Sequence, residues 1–443
     1  MRRLKLQLAI LLILTGCAST SESIFSTPQI ADIEDKKAAI REYAEQYVDF
    51  GSFDGVVLVA EGEQVVVQEA FGFADYRYMT PVTAETRFRI ASLSKQFTQD
   101  AIGRLVARGK LKFDSKISEF IPDFPNGDRI TILQLLDYTS GIKHTNDLGW
   151  ISMKEPLLLS EIIDGLAKEP LDFDPGTARN YSNGAYAVAA AVIESATGMS
   201  YADFLLQEFA ERYPSIGHEY AYEVVPFMAY RYAPAAKFGE RVEATQYLVA
   251  NRIGGGSVYA AAEDVYRFFR STFSGEEMHQ SIYEVLFSMP QDGDTRITGR
   301  SPGALAQVYY DINEDLTVVT LSSNSSWPGS FNSDITALYR GDTVVQTPVI
   351  FSDSTLLSLQ ELAAIPGTFE PERFSWTIKL ERDGNHLVYI QDEMRTAFRK
   401  TKKGDFYLPI WDWLCSFNDG YQSFVCRQRD PSSESEFVFN RVR

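Results

Sequence analysis

Apolar residues along this chain recur with two different periods, and the places where the period changes outline its organisation. A helical pattern over Ile33 to Asp49 is followed by short strand-like runs at Val56 to Ala60 and Gln64 to Ala70. Phe88, Ile90 and Ala91 lead into a second helical stretch, in which Phe97, Ala101, Ile102, Leu105 and Val106 share one face. The Pro175-Gly176 turn precedes an Ala-rich helix from about Ala185 to Thr197, closed by Gly198, and a further helix begins near Ala262. Strand patterns return at Leu305 to Tyr310 and Leu316 to Ser322. Strands at both ends of a mostly helical stretch predict one antiparallel sheet packed by terminal helices, with an inserted helical lobe and a crevice between the two.

Past Arg340 the composition shifts. Ile365-Pro366-Gly367-Thr368-Phe369 opens a segment of short alternating strands, with turns at Asp383-Gly384-Asn385 and Lys403-Gly404-Asp405. Residues 350–443 therefore predict a small antiparallel β domain whose aromatic residues read as core and which carries no visible chemistry. A chain of 443 residues has ample length for two domains.

The chemistry begins at Ser92-Leu93-Ser94-Lys95, where the second helix opens. Residues i and i+3 share a helical face about 5 to 6 Å apart at Cβ, so Lys95 can reach the hydroxyl of Ser92. Serine-lysine pairs are a known solution to acyl transfer. Ser140-Gly141-Ile142-Lys143 repeats the pattern, but Gly141 interrupts helix propensity and no helical pattern follows closely; it reads as a decoy. There is no Gly-x-Ser-x-Gly elbow. The four histidines, His144, His218, His279 and His386, do not stand at metal-ligand spacing, and Gly254-Gly255-Gly256 lacks the lysine of a phosphate loop. No metal or cofactor is expected. The glycine run reads as close backbone packing.

Further stretches give the chain a family likeness. Phe53-Asp54-Gly55 through Val56 to Ala60, Gly72-Phe73-Ala74-Asp75, Thr80-Pro81-Val82-Thr83 and Arg87-Phe88-Arg89-Ile90 precede Ser92; Lys110-Leu111, Ile121-Pro122, Leu135-Leu136-Asp137-Tyr138-Thr139-Ser140-Gly141 and Gly254-Gly255-Gly256-Ser257 follow it. From about Ile33 to Arg340 the chain resembles the serine beta-lactamase-related hydrolases, which include penicillin-binding proteins, class C beta-lactamases, D-alanyl-D-alanine carboxypeptidases, D-aminopeptidases and several esterases. Asp137-Tyr138 stands where family members often carry Asn-His or Ser-His. The resemblance implies an α/β (α+β) fold of the beta-lactamase and penicillin-binding transpeptidase type over residues 33–342. It also makes Ser92 the nucleophile. Tyr181-Ser182-Asn183 supplies the family's second motif, with Tyr181 as the usual general base. An ordinary tyrosine pKa near 10 fits that role poorly, so Lys95 must favour the phenolate. Asn183 would hold Lys95 and the substrate amide.

The family's third motif is Lys-Thr-Gly or His-x-Gly, and counting back from Tyr309-Tyr310 puts Ile297-Thr298-Gly299 there. The cation is missing. Arg296 and Arg300 flank the motif but belong to the other face of a regular strand. Gly299 permits close approach of a ligand, and the backbone N–H groups of Arg300 and Ser92 would form the oxyanion hole. Loss of a hydrogen bond to a charged partner costs roughly 1.5 to 3 kcal/mol, which disfavours substrates recognised through a carboxylate at this strand. The expectation is a serine hydrolase acting through an acyl-enzyme on an ester or amide, of esterase, D-amino-acid peptidase or carboxypeptidase type. The alternatives are a binding or sensing protein on the same scaffold, or a beta-lactamase proper.

The chain's beginning suggests where this would happen. Arg2, Arg3 and Lys5 precede an apolar run from Leu6 to Leu14, about ten residues where roughly 20 are needed to span a bilayer. Leu14-Thr15-Gly16-Cys17 resembles a bacterial lipobox, so residues 1–17 read as a lipoprotein signal peptide, Cys17 as the lipidated residue and 18–32 as a linker. That predicts a lipid-anchored, periplasm-facing protein, at the outer membrane in a Gram-negative cell because Ala18 is not aspartate. Of three cysteines, Cys415 and Cys426 remain; they flank the turn signal Asn418-Asp419-Gly420 and are expected to form a cross-strand disulfide in an oxidising compartment. A net charge of −18 argues against nucleic acid as a partner; the partner expected is a small-molecule, peptide or ester substrate.

Overall fold

A computed structural model describes residues 32–442 except 152–154, 221–222, 235–239, 245–247, 275–292, 325–329, 343, 345–353, 356, 373–376, 392–393, 402–403, 409–412 and 429–435. The expected leader and Cys17 lie outside the described residues.

Helix α1 (Ile33–Asp49) starts where Asp32 accepts the N–H of Ile33, and Glu34 and Asp35 complement the positive end of its dipole. Strands β1 (Gly55–Glu61) and β2 (Gln64–Phe71) follow as a hairpin. After helices α2 (Ser94–Ala107), α3 (Asn183–Thr197) and α4 (Ala262–Phe273) come strands β3 (Asp294–Ser301), β4 (Ala304–Asp311) and β5 (Leu316–Ser322) and helix α5 (Phe331–Arg340). The five strands form one sheet in the order β3-β4-β5-β1-β2, with β5 joining the two ends of the sequence by pairing Gly55 with Ser322 through Glu61 with Leu316.

The period of two explains why β1 is almost entirely apolar: both its faces are covered. Val57 and Val59 pack with Ile40, Tyr43, Phe331 and Ile335 of the terminal helices, whereas Val56, Leu58 and Ala60 belong to the core shared with the helical lobe. In that lobe α2 is enclosed, and Phe97 stacks on Phe268 of α4 at 3.7 Å between ring centroids. Ser182 caps α3 by accepting the N–H of Ala185 at 2.9 Å, and Gly198 closes it at φ 73°. A cap of this kind contributes about 1 kcal/mol, and here it also fixes Tyr181 and Asn183 on either side of the helix start.

The C-terminal segment adds β6 (Gly367–Pro371), β7 (Ile378–Asp383), β8 (His386–Gln391), β9 (Met394–Thr401), β10 (Phe406–Leu408), β11 (Trp413–Phe417), β12 (Ser423–Gln428) and β13 (Glu436–Arg441). They run β9-β8-β7-β6-β13-β12-β11-β10, and pairing of β9 with β10 closes them into an antiparallel barrel. Closure removes exposed sheet edges. Its interior is packed with Phe369, Phe398, Phe406, Phe424 and Phe439. Cys415 and Cys426 stand opposite each other on β11 and β12 with Cα atoms 4.0 Å apart and are joined by a disulfide. The barrel meets the first domain where Phe50 packs with Tyr407 and Leu414 and where Arg399 donates to the Phe50 carbonyl at 3.2 Å. Among the described residues no helix is long and apolar enough to cross a membrane.

Candidate active site

Ser92 lies in a 3-10 turn, Ala91–Leu93, just ahead of α2. Ala91 takes φ 47°, a left-handed conformation that costs an alanine roughly 1–2 kcal/mol and turns the chain into the helix. Ser94 anchors the turn by donating to the Ala91 carbonyl at 2.6 Å and accepting the N–H of Val258 at 3.0 Å. The hydroxyl of Ser92 is left facing a cleft of about 520 Å³. Tyr181 and Asn183 share that cleft with Ser92, as do residues 144–149, Arg252, Gly255, Gly256 and Arg300–Pro302.

Lys95 sits beneath the cleft with 1% of its surface exposed. Its Nζ donates at 2.7 Å to Asn183 Oδ1 and at 2.7 Å to the Gly255 carbonyl, and lies 3.3 Å from Ser92 Oγ. Burial first, and the positive charge of Arg252 second, hold the Lys95 ammonium well below its ordinary pKa. Two of its N–H groups are committed to acceptors that cannot donate back. As an ammonium, Lys95 donates its third proton to Ser92; as an amine, it presents a lone pair along the same line and can take the serine proton. Tyr181 OH is 2.7 Å from Ser92 Oγ, and the Lys95 Nζ lies 4.7 Å from the Tyr181 ring centroid. The tyrosine remains 41% exposed, so its hydroxyl can meet both Ser92 and a substrate. Tyr138 backs it, ring centroids 5.0 Å apart.

Strand β3 reaches the same turn. A Cβ added to Gly299 would stand 2.2 Å from the Ile90 carbonyl oxygen and 2.9 Å from the nitrogen of Ser92, so only glycine lets the strand lie this close to the nucleophile. Arg300, the next residue, was expected on the other face with Arg296, but near the end of the strand it lines the cleft. The N–H groups at the start of a helical turn have no acceptor within it, which leaves the Ser92 N–H suited to an anion. Ile297, on the same face as Gly299, packs against the helical-lobe core instead of lining the cleft. Thr298 is exposed, its Oγ1 accepting from Gln307 at 3.3 Å. Arg296 points to the other side of the sheet, donating to Ser333 at 2.6 Å.

With that geometry in view, residues 40–340 match the family described as Beta-lactamase. The chain belongs to the beta-lactamase family. It is 28% identical over 280 residues to a penicillin-binding protein of Bacillus subtilis (strain 168), covering 58% of this chain and 60% of that protein. It is 35% identical over 160 residues to the esterase EstB of Burkholderia gladioli, covering 32% of this chain and 41% of that one. The solved D-amino acid amidase of Ochrobactrum anthropi SV3 complexed with L-phenylalanine is alike in fold, with a TM-score of 0.57 at 20% identity over 71% of this chain and 96% of that one. The chain thus spans 60% or less of the length of the two curated relatives named. This beta-lactamase family member is thus similar to a penicillin-binding protein and an esterase and, in fold, to an amidase.

Three further contributors surround the expected residues. Gly255 supplies the carbonyl under Lys95, although the glycine run gave a signal only for backbone packing. His144 accepts the N–H of Asn183 on Nδ1 at 3.0 Å. Arg252 sits 6% exposed and donates to Thr145 Oγ1 at 2.7 Å; a lone arginine ahead of glycines gave no signal at all. Among the described residues no group of three or more His, Cys, Asp or Glu is placed to hold a metal.

Proposed function

We propose that this protein is an envelope-anchored serine hydrolase acting through an acyl-enzyme on an ester or amide substrate. The observation that carries the reading is the pairing of a 2.7 Å Ser92–Tyr181 contact with a buried Lys95 whose pKa burial, and second the charge of Arg252, hold well below its ordinary value. Ser92 Oγ attacks the substrate carbonyl, and its proton passes to the Tyr181–Lys95 pair. The proton is assigned to the pair because both groups meet Ser92 Oγ, and Lys95 Nζ lies 4.7 Å from the Tyr181 ring centroid. The N–H groups of Ser92 and Arg300 hold the oxyanion, contributing in comparable sites about 3 to 4 kcal/mol per donor. The pair returns the proton to the leaving group, and water then attacks the acyl-enzyme by the same route in reverse. Catalysis proceeds through side chains and backbone of this chain. Ile297, an apolar residue packed against the core where a cation would stand, together with an esterase and an amidase among the similar proteins, supports ester or amide substrates over those recognised by a strand-borne cation. The lipobox-like Leu14-Thr15-Gly16-Cys17 supports the anchor.

The test is to incubate protein lacking residues 1–17 with p-nitrophenyl acetate and, separately, benzylpenicillin, following turnover and intact mass beside Ser92→Ala. A mass adduct lost in the variant supports the acyl-enzyme, and the reagent that works separates esterase from penicillin-recognising enzyme. Absence of both adduct and turnover with either reagent would move a binding protein on this scaffold ahead.

A further inference from the structure

One wall of the cleft is built from residues 144–149 and Arg252. Because His144 Nδ1 accepts the N–H of Asn183, the single proton of its neutral ring sits on Nε2. Nε2 makes no hydrogen bond to a described residue, and His144 lines the cleft. Burial and the charges of Lys95 and Arg252 hold His144 at a pKa of about 4, so the ring is a neutral donor at neutral pH. Beside it the Arg252 guanidinium is fixed by Thr145, and Arg300 adds a second arginine to the cleft lining. The acid in that lining is Asp147. Among the described residues the lining thus carries two arginines against one aspartate, in a chain whose net charge is −18. A local excess of positive charge favours anionic ligands.

We propose that the substrate carries an anionic group such as a carboxylate, and that Arg252 together with the Nε2–H of His144 receives it. This rests on the acyl-transfer reading above. A carboxylate is an acceptor with two oxygens, and donors on two different elements fix its direction as well as its charge. Recognition of charge is thereby moved from strand position 297 to the loop and glycine-run side of the cleft. A neutral imidazole beside a guanidinium is suited to this role, since a bound anion is stabilised without the imidazole having to ionise first.

The test compares charged and uncharged esters that differ by one methyl group. Mono-4-nitrophenyl adipate against methyl 4-nitrophenyl adipate places the charge on the acyl part; 3-acetoxybenzoate against its methyl ester places it on the leaving group. In one of the two series the anionic ester should have kcat/KM about tenfold or more above its methyl ester, the size expected for a hydrogen bond to a charged group. That ratio should collapse toward one in Arg252→Gln and fall in His144→Phe, whichever way the absolute rates move. The wild-type ratio needs no variant to fold. Ser92-dependent turnover of the methyl esters without preference in either series overturns the proposal and leaves the acyl-transfer reading standing, as does a preference that survives unchanged in Arg252→Gln. Failure of every ester to acylate Ser92 removes the acyl-transfer reading and this proposal with it.

Discussion

Ser92-Leu93-Ser94-Lys95 and Ser140-Gly141-Ile142-Lys143 have the same spacing of hydroxyl and amine, and the fold treats them in opposite ways. At the first, a turn running into α2 stacks the pair, and the surrounding lobe buries the lysine against two acceptors. At the second, Gly141 takes φ 76°, a conformation that breaks the helical register, and a Cβ there would lie 2.2 Å from the Phe173 carbonyl oxygen. Ser140 Oγ accepts the N–H of Ile142 at 3.3 Å, while Lys143 turns to Asp172 at 3.1 Å. The second site still serves the first, because the Lys143 carbonyl accepts from Ser182, the residue that caps α3 beside Tyr181. Spacing sets what can meet. Helical geometry and desolvation decide whether a lysine becomes a base.

The sharpest way to break the comparison is to remove the two hydroxyls. Ser92→Ala should lower p-nitrophenyl acetate turnover toward the uncatalysed rate, a fall on the order of 10⁴-fold or more, while Ser140→Ala should leave it within about twofold. Equal losses at both serines would mean that geometry does not separate them. The amines come next. Lys95→Ala should cost roughly 10²- to 10⁴-fold in kcat/KM, as expected when a proton acceptor is lost, with steady-state turnover of Lys95→Ala and Lys143→Ala read on one substrate.

A smaller effect sharpens the account of why Lys95 differs. Among the described residues Tyr181, Tyr186, His144 and Arg252 are the titratable or charged groups around its amine, and burial first, then the charge of Arg252, hold its pKa down. Removing that charge raises the pKa of Lys95, so more of it is protonated at a given pH. In Arg252→Gln the acid limb of kcat/KM for the neutral ester p-nitrophenyl acetate should therefore move to higher pH. A limb that stays in place, or moves to lower pH, would show that the pair's proton affinity does not depend on Arg252.

Much of this contrast was legible in the sequence. Phe97, Ala101, Ile102 and Leu105 gave the helix behind Ser92, all of them buried, and Gly141 marked the other site as a loop. Gly198 marked the end of α3, and the apolar run from Val56 to Ala60 gave the strand β1, whereas the Ser182 cap and the burial of both faces of β1 came only with the fold. The 3-10 form of the turn and the positive φ of Ala91 were not legible, because nothing in an alanine announces a strained backbone. Nor were the acceptors under Lys95: Gly255 is 160 residues away, and its contribution is a carbonyl that every residue type possesses. Arg252 reaches Thr145 across 107 residues, a contact that no local pattern encodes. Closure of the C-terminal barrel depends on β9 meeting β10, whereas alternation alone indicates strands without their order.

The smallest effect is expected at Lys143, and it tests the comparison from the side of stability. Its ion pair with Asp172 is partly open to solvent, with side-chain exposures of 27% and 31%. Pairs in such a setting contribute about 0 to 1 kcal/mol, since water and salt screen most of the Coulomb attraction and ordering two long side chains offsets part of the rest. Lys143→Ala should lower the unfolding free energy by less than about 1 kcal/mol in urea titration, with esterase activity within about twofold of the parent. The backbone carbonyl that Ser182 uses survives this substitution, so the cap of α3 and the placement of Tyr181 survive with it. A large loss of activity at constant stability would mean that the Lys143 side chain, and not only its carbonyl, takes part in holding the second motif. The two tetrapeptides would then be parts of one site, and the contrast between them would lie in distance from the substrate instead of in kind.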